Sequence, residues 1–75
     1  MALIYSTGYI VNQIDERTYQ ASLSGTDLIV KCYLSHELFR ENIRPLVGDL
    51  VVLRYDSGLR RIKRRVHYII KVIVI

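Results

Sequence analysis

The chain is poor in the residues that usually build small stapled or catalytic domains. Its 75 residues include one cysteine, one proline, one phenylalanine and no tryptophan. A lone thiol closes no internal disulfide, and Cys32, His36 and His67 together fall short of an ordinary structural zinc set. No apolar run approaches the ~20 residues that span a bilayer, so no membrane partner is expected. The N-terminus lacks the basic and apolar regions of a secretory signal. No phosphate-cradling glycine loop, nucleophile elbow or helical histidine pair occurs. The carboxylates Asp15/Glu16, Glu37/Glu41 and Asp49/Asp56 read as capping and solvated groups, and Cys32 reads as a core thiol. No catalytic residue, metal ligand or cofactor is expected, and the chain does not read as an enzyme.

What is present is apolar content of 51 % and an uneven charge distribution around a net +4. Residues 1–53 carry four Lys/Arg against six Asp/Glu, a net −2, whereas residues 54–75 carry seven against one, a net +6. Arg60, Arg61, Lys63, Arg64 and Arg65 fall within six positions. Like charges this close repel, and a polyanion relieves that cost while releasing counterions. Such asymmetry points to nucleic acid.

The hydropathy pattern is mostly period two, interrupted by short Gly, Ser, Asp and Asn clusters, as in a small β protein. A first strand is expected from Leu3 to Ile14, with Gly8 marking a bulge or bend in its middle. A second strand carries Tyr19, Ala21 and Leu23 inward. After the turn Ser24-Gly25-Thr26-Asp27, a third runs Leu28 to Leu34, with Val30, Cys32 and Leu34 inward and Lys31 and Tyr33 outward. Ser35 then caps a short helix with Glu37 in its first turn; Asn42 and Pro45 close it. Gly48-Asp49 leads into a strand over Leu50–Tyr55. The hairpin signal Asp56-Ser57-Gly58 leads into a basic fifth strand over Leu59–Val66.

Three strands, a short helix and two strands is the order of an all-β, five-stranded OB-fold barrel. An SH3-like barrel is the nearest rival, but does not normally place a helical turn between its third and fourth strands. The expected organisation is an OB-fold domain over residues 1–66 and an apolar C-terminal extension over 67–75. Left exposed, Tyr68–Ile75 is an aggregation-prone edge, so it must pair with the barrel's own strand or cover apolar surface on a partner. Loops around the fourth and fifth strands serve nucleic-acid binding in OB folds. Tyr33 and Tyr55 stand where such folds stack bases, and Arg40 and Arg44 extend the basic surface.

The chain resembles the bacterial and organellar translation initiation factor 1 family, a stand-alone S1-like OB domain of about this length. Gly8, Ile10, Tyr19, Ala21 and Leu23 keep the spacing of the family's first two strands. Ser35, Ile43, Arg44, Leu46, Gly48, Asp49 and Val51 match its helix and fourth strand, and Tyr55, Asp56, Arg61, Ile62 and Arg65 match the segment that follows. The resemblance covers roughly Gly8 to Arg65. It departs at the helix, where His36, Glu37, Leu38 and Phe39 replace a basic, glycine-led stretch, and in the apolar tail.

The resemblance implies binding to ribosomal RNA of the small subunit at the decoding A site, by phosphate contacts and steric occupation. It also implies a neighbouring ribosomal protein and the other initiation factors as partners. It implies a bacterial cytoplasm or an organellar matrix or stroma as the location. By position it implies Arg44, Arg61 and Arg65 as RNA contacts; charge and location add Arg40, Arg60, Lys63 and Arg64. The alternative is an organellar ribosomal protein, or an interaction module docking through Tyr68–Ile75.

Overall fold

The computed structural model describes residues 3–56 and 66–73. They form strands β1 (Leu3–Gln13), β2 (Thr18–Leu23) and β3 (Ile29–Leu34), helix α1 (His36–Arg40), and strands β4 (Leu50–Asp56) and β5 (His67–Ile73). The strands close into a barrel in the order β1-β2-β3-β5-β4, with β4 returning to β1. The chain is an all-β, five-stranded OB-fold barrel with its one described helix between the third and fourth strands. No helix among the described residues is long and apolar enough to cross a membrane.

β1 serves two neighbours. Leu3 to Tyr9 pair with β4, and Gly8 to Gln13 pair with β2. The exchange of partners falls at Gly8, where a Cβ would stand 2.8 Å from the Ser22 carbonyl oxygen. Glycine is therefore required by the close approach of β2. A bulge at Val11 follows, between the Ile10–Ala21 and Asn12–Gln20 pairs; bulges bend a strand and raise its twist.

The core follows from period-two alternation. Ile10, Tyr19, Ala21, Cys32, Leu34, Val51, Leu53 and Ile69 are buried from the strands, and Leu38 joins them from α1. Leu23 and Val30, expected inward, are half-buried against this cluster. α1 is set by local chemistry. The Ser35 hydroxyl accepts from the Leu38 amide at 3.3 Å, and the Ser35 amide donates to the Ile69 carbonyl at 3.0 Å. At the other end Asn42 adopts φ +60°. Its amide donates to Phe39 and the Ile43 amide to Leu38, the paired bonds of a Schellman stop.

The fifth strand requires a correction. The expectation assigned it to Leu59–Val66 and put residues 67–75 outside the barrel; residues 59–65 lie outside the described residues, and Val66 precedes β5. The strand that closes the barrel is His67–Ile73. It runs parallel to β3 through Cys32–His67, Tyr33–Tyr68 and Leu34–Ile69, and antiparallel to β4 from Leu50–Ile73 to Arg54–Tyr68. The physical reason is burial. Ile69 is fully buried and Val72 packs on the core, a role that a strand bearing five cations fills poorly. Of the two fates open to the apolar tail, residues 67–73 take the first and pair within their own barrel.

Candidate nucleic-acid interface

The β3–β5 seam brings together the β1–β2 turn, the outer face of β3 and the start of β5. Pairing of Thr18 with Tyr33 fixes the β2–β3 register, and Arg17 holds the turn by accepting the Leu34 amide on its carbonyl at 2.8 Å. Within the turn, the Asp15 carboxylate accepts the Arg17 amide at 2.9 Å. That bond and a further one from Thr18 hold the Asp15 carboxyl below the usual carboxylate range. An open groove of about 810 Å³ lies along this seam. Asp15, Glu16, Arg17 and Thr18 line it from the turn, Tyr33 and Leu34 from β3, and Val66 and Tyr68 from the entry to β5.

Two adjoining tyrosine rings flanked by cations stand beside this groove. Tyr33 and Tyr68 are register partners with ring centroids 6.4 Å apart. The Lys31 ammonium lies 5.7 Å from the Tyr33 ring, and the Arg54 guanidinium 5.8 Å from the Tyr68 ring. Arg54 pairs across β4 with Tyr68 on one side and with Tyr5 on the other. The row therefore continues onto Tyr5, which is 57 % exposed. Neighbouring strands are ~4.8 Å apart, so each side chain in such a row lies beside the next.

The residues singled out from sequence are placed differently from one another. Arg40 is exposed on the last turn of α1. Arg44 is half-buried. It donates to the Ile43 carbonyl at 3.2 Å and the Phe39 carbonyl at 3.4 Å, and lies over the Phe39 ring at 4.3 Å. Arg17 lies over the same ring, also at 4.3 Å, so Phe39 ties the β1–β2 turn to the end of the helix. Tyr55 shares the inward parity of Val51 and Leu53 and meets the ring of buried His67, centroids 4.9 Å apart. Its ring thus faces its own barrel, whereas stacking bases calls for an outward one. Arg60, Arg61, Lys63, Arg64 and Arg65 lie outside the described residues. In the chain they fall between β4 and β5, and Arg65 adjoins Val66, which lines the groove.

Arg17, Arg54 and Tyr68 join this surface without having been singled out as site residues. Arg54 was concealed within an apolar strand, and the outward face of Tyr68 depends on a strand register that only the closed barrel fixes. Away from the groove, Cys32 is wholly buried, its Sγ 3.5 Å from the Tyr19 carbonyl. Burial pushes its thiol up to about 12, which agrees with a core role. Among the described residues no cluster of three His, Cys, Asp or Glu is arranged to hold a metal ion. No family model matches the chain, and no curated protein matches its sequence.

Proposed function

We propose that the chain binds small-subunit ribosomal RNA in the manner of translation initiation factor 1, occupying the decoding A site through phosphate contacts and steric bulk. The observation that carries this reading is the position of the basic stretch in the chain. Arg60, Arg61, Lys63, Arg64 and Arg65 fall between β4 and β5 in the chain, and the β5 end of that connection, Val66, lines the aromatic groove together with Tyr68 of β5. The β4–β5 and β1–β2 loops are the elements with which OB folds engage oligonucleotides. Here the first carries five cations and the second lines the groove. Backbone neutralisation supplies affinity without sequence preference, which suits a factor that recognises a shaped RNA site.

Under this reading Arg60, Arg61, Lys63, Arg64 and Arg65 meet phosphates. Exposed Arg40 adds charge at the helix. Arg44 acts indirectly, by holding α1 against the β1–β2 turn through Phe39. The reading carries with it a neighbouring ribosomal protein and the other initiation factors as partners, in a bacterial cytoplasm or an organellar matrix or stroma.

Cosedimentation with isolated small ribosomal subunits over a salt series tests it. Binding is expected at low salt, with log K falling linearly against log salt. Arg61→Glu with Arg65→Glu is expected to weaken binding and flatten that slope by about 0.7–0.9 for each phosphate no longer neutralised. Absence of binding at low salt, or binding indifferent to the double reversal, rejects the proposal. A footprint on subunit RNA is expected over the decoding region; protection elsewhere retains RNA binding and removes the A-site assignment.

A further inference from the structure

We infer that the outer row Lys31–Tyr33–Tyr68–Arg54 is a stacking platform for unpaired bases, so that the protein takes single-stranded RNA segments in addition to phosphate backbone. The inference rests on the RNA-binding reading and adds to it a second binding chemistry, formed by the strand faces that line the same groove.

Three observations converge. First, the two rings adjoin on the barrel exterior. Tyr33 and Tyr68 are paired residues of parallel strands with centroids 6.4 Å apart, and Tyr68 is 39 % exposed. A tyrosine whose task is to fill a core turns inward, as Tyr19 does at 0 % exposure. Second, each ring carries a cation at its outer side, Lys31 on Tyr33 and Arg54 on Tyr68. Neither cation forms an ion pair among the described residues. Adjoining rings flanked by cations offer a π-face to a base and a counter-charge to the phosphate that follows it. Third, the rings line an open groove of about 810 Å³, so bases have room beside them.

The charges around the groove also give its contents a direction. Asp15 and Glu16 line it from the β1–β2 turn, and their carboxylates repel phosphate. Lys31, which also lies within electrostatic reach of Asp15, and Arg54 attract phosphate from beyond the two rings. A strand lying along the row would therefore turn its backbone away from the β1–β2 turn and its bases onto Tyr33 and Tyr68. Stacking is indifferent to base identity, so the platform selects unpaired over paired RNA rather than one sequence over another.

The test uses two probes on the full chain. One is a labelled oligouridylate of about ten nucleotides, within the ~4–16 nucleotide site of an OB fold. The other is a fully paired RNA duplex of the same strand length. Tyr33→Leu with Tyr68→Leu is expected to weaken oligouridylate binding about tenfold or more, since stacking contributes ~1–3 kcal/mol per base, and to leave duplex binding unchanged. Tyr68→Trp is expected to retain both. Equal weakening on the two probes, or weakening on neither, overturns the platform and leaves phosphate-driven RNA binding standing. If neither probe nor the ribosomal subunit binds the unaltered protein at low salt, both readings fall. A second measurement does not depend on the variants folding. In the unaltered protein the ring-proton resonances of Tyr33 and Tyr68 are expected to move upfield as oligouridylate is added, and rings that stay fixed overturn the inference.

Discussion

Single side chains in this barrel are held by short-range chemistry that simple substitutions expose. Cys32 is sealed in the core, with its thiol raised to about 12 by burial. The thiol is therefore neutral at pH 8 and is expected to ignore a soluble maleimide until denaturant unfolds the barrel; rapid labelling of the folded protein contradicts its burial. The sign of its pH effect follows. The folded state keeps the proton longer than the unfolded one, so this contribution to stability is complete below about pH 8.5 and declines as pH rises towards 12. Asp15 works in the opposite sense, because its folded carboxyl is lowered by bonds from Arg17 and Thr18. Its contribution is present above the unfolded value and is lost as pH falls through the folded one. A carboxyl NMR titration is expected to give Asp15 a midpoint below 3.8. Asn42, at φ +60°, occupies a conformation that costs other L residues ~1–2 kcal/mol. Asn42→Ala is expected to cost about 1 kcal/mol and Asn42→Gly nothing measurable, read from paired denaturant melts.

At the scale of elements, β1 is governed by its glycine. Gly8→Ala drives a methyl to 2.8 Å from the Ser22 carbonyl oxygen. Forced overpacking costs ~1–3 kcal/mol, so the melting temperature is expected to fall by roughly 10 °C, a domain of this size losing ~4–8 °C per kcal/mol. An unchanged melt would mean that β1 and β2 separate without penalty. The elements also differ in how far sequence disclosed them. β1 to β4 and α1 are legible because their cues are local: alternation, the Ser35 cap, the Asn42 stop, and the Gly48-Asp49 turn. In that turn the Asp49 carboxylate accepts the Leu46 amide at 2.8 Å. β5 is not local in this sense. Asp56-Ser57-Gly58 has the composition of a tight turn, and turn chemistry says nothing about which later segment completes the barrel. That choice is made by burial of Ile69 and Val72 in a core drawn from the four other strands and α1. Of the candidate site, the basic stretch over residues 60–65 lies outside the described residues. The aromatic row was only half legible, since Tyr33 follows from alternation whereas Tyr68 needs the β5 register. Arg44 shows a further limit, because a conspicuous arginine is occupied by the Phe39 and Ile43 carbonyls and by the Phe39 ring of the preceding helix.

For the whole molecule, closure is the controlling property. β5 bonds β3 along one edge and β4 along the other. Truncation after His67 is therefore expected to abolish cooperative melting and disperse the core NMR signals, because two strand edges and the Ile69 site are left open. A truncated chain that still melts in one sharp transition would show that four strands suffice. Charge and closure are also connected at this scale, since the basic stretch joins two strands of the ring. Under the RNA-binding proposal, reversals within it, such as Arg61→Glu with Arg65→Glu, are expected to lower RNA affinity and flatten its salt slope, read from the same cosedimentation series.

The order of synthesis gives ring closure a further consequence. The strand that seals the ring is the last of the five to leave the ribosome, and β3 has no register partner but β2 until it arrives. Throughout that interval a growing chain carries two unsealed borders rich in Val, Ile and Leu, the sort of template on which nascent polypeptides associate wrongly. Weakening β5 should thus show first as insoluble product during expression, and only afterwards as a lowered transition in the purified protein.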